Sequence, residues 1–162
     1  MVTATKDSGG NFLAKKSGAA KALQKQLPMS KVLIIEDEER DLKRLIATLN
    51  LMFSYELEIK TAATLSAALD AAIGEKPDLI FLDDVLKPSD NADDTIPYLR
   101  HAGYDGPIVV ISSRATRKRK AQLAKAGATD IIHKDDFDSV RMSEALMRVF
   151  PSLSIEDPDG EP

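Results

Sequence analysis

The sequence predicts a doubly wound α/β domain, on two observations. Between residues 31 and 150, short apolar runs alternate with amphipathic helical patterns five times, as in a chain of parallel βαβ units with right-handed crossovers. Several of those runs are apolar at consecutive positions rather than at alternate ones, as expected of strands covered by helices on both faces.

Each element follows from its own pattern. Lys31–Ile35 (KVLII) is β-branched, too short for a helix and bounded by acids. After it, Leu42, Leu45, Ile46, Leu49 and Phe53 recur at i, i+3, i+4, i+7 and i+11, the single apolar face of a helix. Residues 57–59 (LEI) form a weaker second strand. Thr64 is placed to cap a second helix with Leu65, Ala68, Leu69, Ala72 and Ile73 inward and Gly74 at its end. Residues 79–82 are the third strand, 95–100 the core of a short third helix, and 108–111 (IVVI), after Gly106-Pro107, the fourth strand. A helix follows over 116–126, stopped by Gly127. Ile131-Ile132 marks the fifth strand. Asp138 or Ser139 then caps a last helix with Met142, Ala145, Leu146 and Val149 inward.

Composition narrows the class without naming it. The chain has 162 residues, enough for one domain with a full core, and is 43% hydrophobic and 30% charged. It contains no cysteine, which excludes disulfides and thiolate metal sites and agrees with a reducing compartment. No apolar run approaches the roughly 18 residues of a membrane span, and the first residues lack the apolar centre of a secretory signal. The cytoplasm is the expected location. Residues 1–30 are rich in Gly, Ser, Lys and Ala, with a faint stripe of Phe12, Ala19, Ala20, Leu23 and Leu27. They read as a flexible arm or, alternatively, a docking or dimerising helix. Residues 151–162 read as a disordered acidic tail, leaving 31–150 as the domain.

In an open α/β sheet, function gathers outside the carboxyl ends of the strands. The first strand runs into Glu36-Asp37-Glu38, the third into Asp83-Asp84, the fourth into Ser112-Ser113 and the fifth into His133-Lys134. Read singly, these are commonplace. Acids after strands are usually solvated or sit at helix starts, as Glu38 and Glu39 do here. Converging on one rim, however, the carboxylates would repel one another unless a cation relieved them. An all-oxygen set suits a hard cation, best Mg²⁺, which keeps waters and leaves a position for a phosphate oxygen. A lysine and a hydroxyl opposite complete a pocket for a phosphoryl group.

With the segments KVLIIEDEERD, PDLIFLDDVLKP, GPIVVISS and AGATDIIHKDD in this order, the sequence resembles the CheY-like receiver domains of bacterial two-component response regulators from about residue 31 to 150. The resemblance implies a (βα)5 flavodoxin-like sheet with strand order 2-1-3-4-5. It also implies an aspartate that takes a phosphoryl group, with Mg²⁺, from a histidine kinase or histidine phosphotransfer protein. Asp83 has Pro77 six residues before it and Leu86 three after, as the family's acceptor does; Asp84 matches only in having Pro88 four after. Strand phase favours Asp83, with Lys87 in the usual proline position and Asp84 on the rim. By the same resemblance Asp37 is the main metal-ligating acid, Glu36 its neighbour acting through water, and the Val85 backbone carbonyl a third protein ligand. Ser112 corresponds to the switch hydroxyl and Lys134 to the lysine that pairs with the acyl phosphate. Two positions depart from the family: Asp135 stands where a proline is usual, and Ile131 where many members have Tyr or Phe.

The expected function is that of a stand-alone response regulator. Phosphorylation of Asp83 would control binding to a downstream protein, with no enzymatic role beyond loss of its own phosphate. A second reading uses the basic stretch Arg114, Arg117, Lys118, Arg119 and Lys120 to bind an acidic partner or a nucleotide such as cyclic di-GMP. No aromatic residue lies among these cations to stack a base, and the net charge of -4 argues against nucleic acid. A third reading, a Mg²⁺-dependent aspartyl phosphatase, typically needs an aspartate two residues after the nucleophile, where this chain has Val85 or Leu86.

Overall fold

The structure, a computed structural model, describes residues 29–87, 90–136 and 138–150. In chain order it comprises β1 (Lys31–Ile35), α1 (Glu39–Met52), β2 (Glu58–Ala62), α2 (Leu65–Glu75) and β3 (Leu79–Asp83). Then come β4 (Val85–Leu86), β5 (Asp90–Asn91), α3 (Ala92–His101), β6 (Ile108–Ser112), α4 (Arg117–Ala126), β7 (Asp130–His133), a 3₁₀ turn at Lys134–Asp136 and α5 (Ser139–Val149). The expected N-terminal arm, apart from Met29 and Ser30, and the acidic tail lie outside the described residues.

Five strands pair in parallel in the order β2-β1-β3-β6-β7. Counting βα units, this is the expected 2-1-3-4-5. The two extra strands, β4 and β5, form a small antiparallel hairpin beyond β3, which a two-residue signal at each strand is too short to announce. β3 and β6 are buried at all five positions, in keeping with their continuous apolar runs.

Strand alternation sorts the core into two layers. Val32, Ile34, Leu79, Phe81, Val109, Ile111 and Ile132 pack on one face under α1 and α5. Leu33, Ile35, Ile80, Leu82, Ile108, Val110 and Ile131 pack on the other under α2, α3 and α4. Met29 joins the first layer, so the packed unit begins slightly before Lys31. Asp78 fastens the opposite rim, its Oδ2 accepting from the backbone N–H groups of Ser30 and Lys31 at 2.9 Å each.

The helix ends mostly follow their sequence signals. Thr64, Thr116 and Asp138 accept from the N–H groups of Ala67, Arg119 and Arg141, covering donors left free at each first turn. Gly127 ends α4 at φ 116°, where a Cβ would also lie 3.1 Å from Ile96 Cγ2. The end of α2 is a correction. The helix passes through Gly74 to Glu75, and Lys76 takes the left-handed cap at φ 48°. The stop belongs to Pro77, whose ring excludes the right-handed helical region for the residue before it. Ile73, expected inward, is 56% exposed; the buried stripe of α2 narrows to Ala68 and Ala72.

Candidate functional site

The carboxyl ends of β1, β3, β6 and β7 form one lip of the sheet, and the sorting of side chains continues beyond the last core residue. Asp83 follows Leu79 and Phe81 in phase and turns to the α1 and α5 side; Asp84, one position on, turns to the α3 and α4 side with Ser112. Both aspartates are buried, 5% and 3% exposed. Adjacent in sequence, they belong to separate electrostatic environments.

On the Asp83 side, Glu36, Asp37 and Asp83 each offer a carboxylate oxygen, all within 4.8 Å of one another. The Lys134 ammonium lies 3.1 Å from Asp83 Oδ1, 3.2 Å from Asp41 Oδ2 and 3.9 Å from Glu36 Oε1. Burial works against the lysine's charge, but the neighbouring acids, Asp83 foremost, outweigh it and hold its pKa above the usual lysine range. With Asp135 in place of proline, the 3₁₀ turn still carries the lysine to Asp83. Two backbone donors shape the acids further: Lys87 N–H reaches Asp37 Oδ2 at 3.2 Å, and Glu38 N–H reaches Glu36 Oε2 at 3.1 Å. Val85 N–H points back to Asp83 Oδ1 at 3.4 Å. Asp41, on the first turn of α1, is a contributor that sequence reading missed, because an acid there reads as ordinary compensation of the helix dipole.

The other side corrects two expectations. Asp84 is a buried ion-pair partner rather than a rim residue. Its Oδ2 accepts the Ser112 hydroxyl at 2.6 Å and Arg119 Nε at 3.1 Å, and its Oδ1 accepts Arg119 Nη2. Arg119 itself is 8% exposed and reaches on to Asp93 at 2.7 and 2.9 Å and to Gln122 Oε1 at 3.2 Å. Hydrogen bonds to Asp93 and Asp84 stabilise the guanidinium charge, and Arg119 in turn holds the Asp93 carboxyl below its usual range. Arg119 is thus withdrawn from the expected anion-binding face, on which Arg114, Arg117, Lys118 and Lys120 remain exposed. Period-two counting from Ile108 would have found Ser112 beside Asp84; nothing local in the sequence marks Arg119 among five neighbouring cations.

The three-acid cluster fits a hard divalent cation by its donor chemistry. Burial, then the hydrogen bond and charge of Asp83, push Glu36 up to about 8, against the help of Glu38 N–H and Lys134. Such repulsion is what a bound cation relieves. A pH dependence follows. The folded chain keeps the Glu36 proton where the unfolded chain, near the ordinary value of 4.5, has released it. The stabilisation from this group is complete below about 4.5 and is lost as pH rises towards 8. Urea midpoints measured in chelator are expected to fall across that window, with the slope flattened in Glu36→Gln.

A parallel sheet in this order, covered by helices on both faces, defines the flavodoxin-like doubly wound α/β class. The chain belongs to the response regulator receiver domain family, which it matches over residues 32–146. It is 32% identical over 134 residues to the transcriptional regulatory protein KdpE of Mycobacterium tuberculosis, covering 80% of this chain and 57% of KdpE. It is 31% identical over 106 residues to the transcriptional regulatory protein YxdJ of Bacillus subtilis, covering 65% and 44%. The chain thus spans about half the length of these relatives. Among solved structures, the fold is similar to a CheX–CheY–BeF3–Mg²⁺ complex from Borrelia burgdorferi, with TM-score 0.65, 21% identity and coverage of 75% and 89%. It is also similar to the chemotaxis response regulator CheY4 of Vibrio cholerae, with TM-score 0.64, 23% identity and coverage of 75% and 99%. Among the described residues, no helix is long and apolar enough to cross a membrane.

Proposed function

We propose that this receiver domain takes a phosphoryl group onto Asp83 from a histidine kinase or histidine phosphotransfer protein, and signals through phosphorylation-dependent binding of a downstream protein. One observation carries the reading: the buried Asp83 carboxylate lies 3.1 Å from the Lys134 ammonium and within 4.8 Å of ligand oxygens from Glu36 and Asp37. A carboxylate oxygen of Asp83 attacks the phosphorus of a phosphohistidine. The P–N bond breaks as the P–O bond forms, and the departing imidazole nitrogen takes up a proton. Lys134 turns its charge from the free carboxylate to the phosphoryl oxygens. Glu36, Asp37 and Asp83, joined by the Val85 carbonyl, would hold Mg²⁺, which supplies charge neutralisation for the phosphoryl oxygens. Hydrolysis of the acyl phosphate by water restores Asp83 and ends the signal, so the protein is an acceptor rather than a turnover enzyme. The same reading puts it in the cytoplasm beside its phosphodonor.

The test is incubation with acetyl phosphate and Mg²⁺, followed by mass spectrometry of the intact protein and its peptides. One acid-labile and base-labile phosphoryl adduct on the peptide containing Asp83 is expected, and it should fail to form when the divalent ion is chelated beforehand. An unlabelled protein, or an adduct confined to another peptide, would overturn the proposal.

A further inference from the structure

Ser112 is not turned to Asp83. Its hydroxyl donates to Asp84 Oδ2 at 2.6 Å and accepts from the Arg114 N–H at 2.9 Å. A hydroxyl has one proton to donate, so while Ser112 is bonded to Asp84 it cannot also donate to an oxygen on Asp83. Asp84 is held in place by Arg119, which binds both its oxygens and, through Asp93, ties α4 to α3. The Arg114 N–H opens the loop between β6 and α4, so a displacement of the Ser112 oxygen also releases the start of that loop.

We propose that Asp84, clamped by Arg119, is a positioning residue that withholds the Ser112 hydroxyl from Asp83 until a phosphoryl group competes for it, and that links its release to α4. The inference rests on the phosphoacceptor reading of Asp83. Before phosphorylation, the hydroxyl lies on the α3 and α4 side of the sheet, in a charge-assisted bond. Binding a phosphoryl group at full strength requires breaking that bond. Asp84 then keeps Arg119 alone, the Arg114 N–H loses its acceptor, and the β6–α4 loop is free to follow the serine. The resting pocket is thereby biased against the phosphorylated arrangement by the strength of one hydrogen bond. Ser113, which lines the cleft with Asp41 and Lys134, is the competing source of a hydroxyl, and the test separates the two.

The experiment titrates beryllofluoride with Mg²⁺, as a stable phosphoryl mimic, into the full chain and reads bound fluoride by ¹⁹F NMR. Ser112→Ala is expected to weaken binding. Asp84→Asn, which offers Ser112 a neutral acceptor, is expected to tighten it about five-fold. In the Ser112→Ala background the same Asp84→Asn change is expected to do nothing beyond about two-fold. Equal tightening with and without Ser112 would mean that Asp84 acts only by its charge, and would overturn the proposal. So would a Ser112→Ala variant that binds like the unsubstituted chain while Ser113→Ala does not. No binding by any variant would overturn the phosphoacceptor reading itself, and this inference with it. Should Asp84→Asn fail to fold, the double variant Asp84→Leu/Arg119→Met removes both buried charges together and is expected to show the same Ser112-dependent tightening.

Discussion

Asp83→Asn is expected to reduce acetyl phosphate labelling to the background of the assay, whereas Asp84→Asn still accepts the phosphoryl group. The two residues are neighbours of the same type and nearly the same burial, so composition and exposure cannot separate them. Their surroundings do. Asp83 faces an ammonium at 3.1 Å and two further acids, an arrangement that supplies a cation to the phosphoryl oxygens and retains a nucleophile. Asp84 is buried and its oxygens already accept from a guanidinium and a hydroxyl on the other side of the sheet. An amide at position 83 keeps the shape of the pocket but is not a nucleophile towards phosphorus, so the loss should be of labelling rather than of fold. Circular dichroism of both variants alongside the mass measurement checks this. Labelling lost in Asp84→Asn and retained in Asp83→Asn would reverse the assignment.

The second large effect is on stability. Arg119→Met is expected to cost about 3–5 kcal/mol, because it strips a buried carboxylate of its counter-charge. Asp84 is 3% exposed and would keep only the Ser112 hydroxyl and the distant Arg114 guanidinium at 3.9 Å. Against a total stability of roughly 5–15 kcal/mol for a domain, that loss is a large fraction of the whole. Asp93→Ala breaks bonds to the same arginine, yet the Asp93 side chain is 44% exposed and water replaces the lost partner. Its cost is expected to stay within about 1 kcal/mol. Urea unfolding with an unchanged m-value reads both numbers, and equal costs would show that burial of Asp84 is not the source of the effect.

The strand and helix order, the five-stranded sheet and the two-layer core were legible because they are periodic. Continuous apolar runs such as IVVI and stripes such as Leu42, Leu45 and Leu49 carry the information within a few residues. The same local reading placed Glu36, Asp37, Asp83 and Lys134 at the strand ends, where the structure brings them together, and Ser112 at the same lip, where it turns to Asp84 instead. It did not reach the role of Asp84 or the inward turn of Arg119. Both depend on a pair thirty-five residues apart, which nothing nearby in the chain signals. Gly74 and Ile73 show the converse failure, where a local rule was overruled by Pro77 and by the narrow packing face of α2.

By itself, then, the amino-acid order determined which groups stand at the tips of the strands, because side-chain direction alternates with a period of two and tip residues follow the last core residue. Only the tertiary structure decided how those groups are partnered. An ion pair is a contact between distant segments, and its strength is set by how much water the surrounding helices remove.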